Sequence, residues 1–209
     1  MRKQLPKSFY ADKDVVKLAE KLLGKRLCTV IDGKYTSGII TETEAYAGVT
    51  DKASHAYGGR LTERTKIMFD EPGTAYVYLC YGIHHLFNIV TNKKGIPHAI
   101  LIRAMLPDEG IEYMMERRKK LKVDKTFSGG PGTVSQALGI LTKHSGKSLL
   151  GEEIWVEETG IKIPGKEIVA GPRIGVDYAG EDAKLPYRFY IKKEFISFIA
   201  TETQGHSKK

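Results

Sequence analysis

A chain of 209 residues, 41% of them hydrophobic, is long enough for one domain with a sizeable core and short for two. Its 33 Lys+Arg exceed the 25 Asp+Glu by 8, and an isoelectric point near 9.3 describes a surface that attracts polyanions, nucleic acid first among them. Two cysteines, no apolar run approaching the ~18 residues of a membrane span, and an N-terminus without an apolar segment argue against a disulfide framework, a membrane protein and a signal peptide; a soluble cytoplasmic protein is expected.

Asp12 or Asp14 can cap a first helix, in which Val15, Leu18, Ala19, Leu22 and Leu23 recur at the helical period and Gly24 supplies the stop. Residues 27–31 then read as a strand, and Asp32-Gly33 as a two-residue hairpin turn into a second strand over 35–41, which residues 42–46 continue or leave. Residues 47–75 turn to Gly, Thr, Asp and charge, with a short helix capped by Thr62 and a turn at Pro72-Gly73. Strands over 74–81 and 84–90 are joined so tightly that Tyr81-Gly82-Ile83-His84 must form the hairpin tip, and a third strand covers 99–104.

Asp108 can cap a helix running to Leu121, with Glu109 and Glu112 early and Arg117 to Lys120 late, the order that suits the helix dipole. Gly129-Gly130-Pro131-Gly132 precedes Thr133-Val134-Ser135-Gln136, read as a capping box with Thr133 as N-cap, and a Gly-rich loop entering a helix can receive a phosphate. Short strands at 154–156, 168–170, 173–176 and 188–191 complete the sheet. Residues 201–209 lack apolar content and read as a disordered tail after a single domain of residues 1–200.

On an extended segment Glu42, Glu44 and Tyr46 share one face, with Cα atoms two positions apart separated by ~6.6 Å. Two carboxylates so spaced could serve a glycoside-type hydrolysis, because inverting hydrolases hold theirs ~6.5–9.5 Å apart around a water. The plainer alternative is a solvated strand edge of alternating Thr and Glu. Along the next strand Tyr76, Tyr78 and Cys80 share one face, and Val77, Leu79 and Tyr81 the other. At the hairpin tip Tyr81 has no core to enter, so it either folds over the hairpin or touches a partner; in a basic protein such a wedge can part stacked bases. His84 and His85 are adjacent on a strand and point to opposite faces, so they cannot share a metal, and no metal site is expected.

Read in order, Glu42-Thr43-Glu44-Ala45-Tyr46, His55, Gly58-Gly59-Arg60, Met68-Phe69, Pro72-Gly73-Thr74, Tyr76-Val77-Tyr78, Tyr81-Gly82, Asn88 and Leu101-Ile102-Arg103-Ala104 form one pattern. It continues through Ser128-Gly129-Gly130-Pro131, Gln136-Ala137-Leu138, Arg173-Ile174-Gly175-Val176, Ala179-Gly180 and Arg188-Phe189-Tyr190. With it the chain resembles the alkyladenine (3-methyladenine) DNA glycosylase family over nearly its whole length.

The resemblance implies a single α+β (mixed α/β) domain, an antiparallel β-sheet with surrounding helices and a protruding hairpin that enters the DNA minor groove. It implies a monofunctional base-excision-repair enzyme without cofactor, acting as a monomer on double-stranded DNA that contains damaged purines. Alkylated or deaminated purines would be flipped out and their N-glycosidic bond hydrolysed, leaving an abasic site. By position, Glu44 matches the general base that activates water, and Arg103 with the backbone of Ile174 the groups that help hold that water. Tyr46, His55 and Tyr78 match the aromatic walls around the flipped base, and Asn88 the residue that screens purines. Tyr81, flanked by Gly82 and Ile83, matches the intercalating wedge, and Arg60, Thr62 and Arg64 the contacts to the DNA backbone.

The chain departs from the family pattern at Thr133, where a basic residue would follow the Ser-Gly-Pro turn, and in an insertion around Lys93-Lys94-Gly95. From the residues alone two other readings stay open: a basic nucleic-acid-binding module without chemistry, and a small-molecule glycosidase using Glu42 and Glu44. The latter leaves the charge of the chain unexplained.

Overall fold

Two successive residues with positive φ, Asp32 (55°) and Gly33 (71°), make the first chain reversal, joining strand β1 (Arg26–Ile31) to β2 (Lys34–Tyr46). Asp-Gly suits this turn because both central positions need the left-handed region, which Gly enters freely and Asp tolerates. The computed structural model describes residues 3–206. Within them β3 (Ala75–Cys80), β4 (His84–Thr91), β5 (His98–Glu109), β6 (Ile154–Glu157), β7 (Ile168–Gly171) and β8 (Arg188–Ile191) join the first two strands in one antiparallel sheet. The order is β3-β4-β5-β2-β1-β6, with β8 on β2 and β7 outside β8.

The spine of this sheet is β2, 13 residues long. One edge pairs with β5 along almost its full length, while the other is shared in succession by β1, opposite Lys34–Ile39, and β8, opposite Glu42–Glu44. Two register shifts fall between Ile40 and Thr43, leaving Thr41 on β2 and Arg103 on β5 without direct partners. Such bulges bend a strand and re-aim a side chain. Here they sit next to the two glutamates.

Helices cover the sheet. After the short α1 (Lys7–Tyr10), α2 (Val15–Lys21) starts at Asp14, whose Oδ1 accepts the Lys17 N–H at 2.9 Å, and buries Val15, Leu18 and Ala19. Thr43 Oγ1 donates to the Ala19 carbonyl at 2.8 Å and so ties α2 to β2. The helices α3 (Ile111–Arg118) and α4 (Pro131–Leu138) pack on each other, and α4 lies against β4 and β5. Leu18, Leu27, Ile40, Phe87, Ile100 and Phe127 are among the fully buried side chains of the main core, each worth about 1.5–3 kcal/mol of transfer free energy. Among the described residues no helix is long and apolar enough to cross a membrane.

Three local expectations are corrected. Asp108 does not cap α3; it lies in β5 and pairs with Arg26 at 2.6 Å, and the helix begins after Gly110 in the left-handed region. Thr133 is the third residue of α4, not its N-cap: Pro131, pre-set for the first helical position, moves the start to Gly130, whose N–H bonds Thr133 Oγ1 at 3.0 Å. Residues 173–176 are an irregular loop, since the Arg173 side chain turns inward to partners described below and Gly175 takes φ 74°. The last helix is α5 (Lys193–His206). Phe195, Ile196 and Ile199 anchor its first turns on the core, and each further turn then costs little once the helix is nucleated. Residues 207–209 of the expected tail lie outside the described residues.

Gly110 and Gly33 have similar φ, 69° and 71°, in different surroundings. A Cβ on Gly110 would overlap the Tyr35 carbonyl oxygen and lie 3.0 Å from Thr36 Cγ2, whereas nothing lies within 4 Å of one on Gly33. Gly33→Ala should therefore cost about 1 kcal/mol for the left-handed backbone alone, and Gly110→Ala at least ~2 kcal/mol. Urea midpoints measured side by side check this, and equal midpoints would remove the steric contact from the account.

Candidate active site

A cleft of about 620 Å³ opens beside the C-terminal half of β2, with the β3–β4 hairpin, β5, the start of α4 and the loops around Ala53 and Ile174 as its walls. Glu44 lies directly behind one wall, with no exposed surface. Its Oε1 accepts the Ile174 backbone N–H at 2.8 Å, and its Oε2 accepts the Tyr46 hydroxyl at 2.8 Å and faces Arg103 Nη1 at 3.2 Å. All three donors line the cleft. Since an ionised carboxylate has about four lone-pair directions, three donors leave room for a fourth, such as a water.

Arg103 is held from both sides. Its Nε donates to Glu42 Oε1 at 3.0 Å, and Arg188 Nε approaches the same oxygen at 3.7 Å. The two glutamates do share a side of the strand, as the alternation requires, but a guanidinium bridges them. An inverting hydrolase keeps a water between its carboxylates, so the paired-glutamate reading has no place for its nucleophile here.

Tyr46, His55 and Tyr78 come together across the cleft from three different elements. The rings of His55 and Tyr78 meet edge to face at 4.7 Å, and Tyr76, which the sequence placed on the Tyr78 face without assigning it to the site, packs 5.5 Å from Tyr78. His55 Nδ1 lies 2.9 Å from the Tyr76 hydroxyl and Nε2 lies 3.2 Å from Arg64 Nη2. Arg64 can only donate, which assigns Nε2 as acceptor and Nδ1–H as donor to Tyr76. Burial, then the charges of Arg64 and Arg60, push the His55 imidazole down to about 4. Burial, and next the carboxylate of Glu44, raises the Tyr46 hydroxyl well above its ordinary range, so it remains a donor.

Asn88 is buried on β4 opposite Tyr76, and its amide NH₂ donates to the carbonyls of Tyr76 and Leu86, both at 3.2 Å. Those two acceptors fix which way the amide points, and Asn88 lines the cleft. Tyr81 is 89% exposed at the hairpin tip, with Ile83 beside it at 70%. Tyr81 and Gly82 both take positive φ, 50° and 72°, and the turn closes with Ile83 N–H on the Cys80 carbonyl at 3.2 Å. A bulky residue in the left-handed region is uncommon and marks a position worth a functional explanation.

Of the three residues read as backbone contacts, Arg60 and Thr62 lie outside the cleft, where Thr62 closes a small turn with Thr65. Arg64 turns inward instead and stands 4.6 Å over the Tyr78 ring. Two residues beside the site were given no role in it from the sequence: Asp51, and Arg173, read only as part of a strand and of the family pattern; they form a buried ion pair, with Arg173 also 4.9 Å from the Tyr46 ring. They are 122 positions apart, and no periodicity or turn signal links them.

The shift of His55 has a consequence for stability. The unfolded chain binds a proton below the ordinary value of 6.5 that the folded chain refuses until about 4, so the contribution of neutral His55 is complete above pH 6.5 and is lost as pH falls toward 4. His55→Asn should flatten that part of the profile. Urea unfolding of both proteins at pH 7 and pH 5 tests it, and an equal loss in both would contradict the assigned state of His55.

A model of the family described as Methylpurine-DNA glycosylase (MPG) matches residues 8–195, a span that contains every site residue named above. A protein of Chlamydia felis (strain Fe/C-56), provisionally named 3-methyladenine DNA glycosylase, is 48% identical over 188 residues, which cover 90% of this chain and 95% of that one. Relatives with the same provisional name include one of Bacillus cytotoxicus, 46% identical over 201 residues covering 92% and 98% of the two chains. Another, of Chlamydia pneumoniae, is 46% identical over 191 residues covering 91% and 96%. On the length of these matches, the chain belongs to the methylpurine-DNA glycosylase family.

Proposed function

We propose that this chain is a monofunctional DNA glycosylase that turns an alkylated or deaminated purine out of duplex DNA and hydrolyses its N-glycosidic bond with a water activated by Glu44. The observation that carries the reading is the buried Glu44 carboxylate, held by three donors that line an aromatic cleft, one fewer than the roughly four a carboxylate can accept. The water oxygen attacks the sugar C1′ and its proton passes to Glu44, while the electron pair of the broken bond leaves with the base. The anionic carboxylate also stabilises the oxocarbenium-like transition state. Arg103 and the Ile174 N–H orient the carboxylate and, through it, the water.

The target bond lies inside a duplex, so the nucleotide must first be extruded at a cost of a few kcal/mol, least for a damaged or mispaired base. Stacking on Tyr46, His55 and Tyr78, at about 1–3 kcal/mol per base–aromatic contact, offsets that cost. Electron-poor alkylated rings gain further from the electron-rich tyrosines. Tyr81, exposed on its strained turn, fills the space left in the stack, with Gly82 and Ile83 against the groove and Arg60 and Thr62 toward the strand, while Arg64 braces the Tyr78 wall of the cleft. The excess of basic residues supplies sequence-independent, salt-sensitive attraction to phosphates. Asn88 screens purines at the edge of the cleft: its amide is braced by two carbonyls, so a guanine 2-amino group meets a side chain that cannot move aside.

Among the described residues no lysine lines the cleft, which supports simple hydrolysis over a Schiff-base route that would also cut the strand. One chain carries the whole set of groups, which supports action as a monomer.

Glu44→Gln keeps the shape but cannot take the proton, so single-turnover excision from a duplex with one hypoxanthine or ethenoadenine should fall ~10²-fold or more while binding persists. Glu42→Gln should reduce it less, by loosening Arg103; the reverse ranking would overturn the assignment. Tyr81→Ala should lower the flipped population, read as a smaller change in ethenoadenine fluorescence on binding. An unaltered signal would remove Tyr81 from the extrusion step.

A further inference from the structure

One of the three donors on Glu44 comes from a loop. Loops are ordinarily the mobile part of a fold, yet the Ile174 N–H must stay within hydrogen-bond distance of a buried carboxylate, 2.8 Å from it here. The preceding residue provides the hold. The Arg173 side chain is fully buried, and its guanidinium forks onto Asp51, with Nη1 on Oδ2 and Nη2 on Oδ1, the latter at 2.8 Å. Nη1 also donates to the Ala45 carbonyl at 2.9 Å and Nη2 to the Asp182 carbonyl at 3.0 Å. Asp51 is fixed in turn by the N–H groups of Ala47 and Ala53, both at 3.0 Å. The guanidinium stands 4.9 Å from the Tyr46 ring and 5.2 Å from that of Tyr187.

Four segments therefore meet on one side chain: the end of β2 at the residue between Glu44 and Tyr46, the loop after it, the 3-10 segment at Asp182, and the loop that carries Ile174. Burial works against the charge of Arg173, but hydrogen bonding to Asp51 and the attraction of its carboxylate overcome this and raise the guanidinium above its ordinary value. A buried ion pair commonly gives no more stability than apolar residues of the same volume, so stability is a poor account of this one. Its placement is a better account. Two of the three groups that bond Glu44, the Ile174 amide and the Tyr46 hydroxyl, belong to residues that Arg173 holds directly.

We propose that the Arg173–Asp51 pair is a positioning latch for the chemical step, fixing the Ile174 N–H and the Tyr46 ring around Glu44 and so setting where the attacking water sits. The proposal rests on Glu44 as the base. Neither Arg173 nor Asp51 touches the reacting atoms; both act through Glu44 and its donors.

Arg173→Lys keeps the charge but not the planar fork, and Asp51→Asn keeps the shape but not the charge, so the pair is approached from both ends. Each variant, checked by circular dichroism, is mixed with a duplex containing ethenoadenine; fluorescence reports the flipped population, and release of the base under single-turnover conditions reports chemistry. The latch predicts excision slowed ~10-fold or more with the flipped signal near wild type, as misplacing a reacting group by about 1 Å can cost ~10²-fold. Excision within twofold of wild type in either folded variant overturns it, and so does a loss of excision matched by an equal loss of the flipped signal, which marks general loosening. Glu44→Gln in the same assay separates the two ideas: if it excises at the wild-type rate, the base assignment has failed, whatever the latch variants do.

Discussion

A carboxylate taken out of water must be given hydrogen-bond donors by the protein, and the structure around Glu44 is arranged to meet that demand. An unpaired buried charge would cost several kcal/mol, more than a domain of this size can ordinarily spare. The donors come from Tyr46, two positions on along the same strand, from the bulged residue Arg103 on β5, and from the backbone at Ile174 in a distant loop. Each is delivered by a different device: strand periodicity, a register shift, and a loop pinned by a buried ion pair. A carboxylate that is oriented but not saturated is what water activation requires.

The length of β2 follows from the same constraint. Its first half builds the hairpin with β1, and its second half, bordered by β8 and β5, carries the two glutamates and brings Tyr46 to the cleft. The bulge that gives up one pair of ladder contacts turns Arg103 toward both glutamates, and the guanidinium bonds Glu42 while it faces Glu44. Acidic residues of the same type, two positions apart, thus come to differ in burial and in partners. One sits behind the cleft wall with three donors, and the other forms the outer anchor of an arginine.

Aromatic groups dominate the opposite wall, and their polar ends are matched to one another. Neutral His55 accepts from Arg64 and donates to Tyr76, so both nitrogens of a half-buried imidazole are paired without a carboxylate. That leaves Glu44 as the negative group against which positive charge can develop in the proposed reaction, in a protein whose overall charge favours an anionic polymer. The hairpin beyond this wall keeps a tyrosine in the left-handed region at its tip and almost wholly exposed, an arrangement that folding energetics alone would not select.

What the sequence determined by itself was local or periodic. Asp32-Gly33 specified a turn because few dipeptides accept two positive φ values, the spacing of Val15, Leu18 and Ala19 specified α2, and alternation placed Glu44 beside Tyr46 and Tyr76 beside Tyr78. The order of these residues along the chain also carried the family, which the comparisons bear out. Other features were decided by partners far away in the chain. Arg103 reaches Glu42 across 61 positions and Arg173 reaches Asp51 across 122. The start of α3 moved from Asp108 to Gly110 because Arg26, on another strand, claims the aspartate, and 173–176 failed to form a strand because a buried carboxylate holds its arginine inward. Local sequence sets which backbone conformations are cheap, but a charge goes where its counter-charge is, and only the folded chain brings the two together.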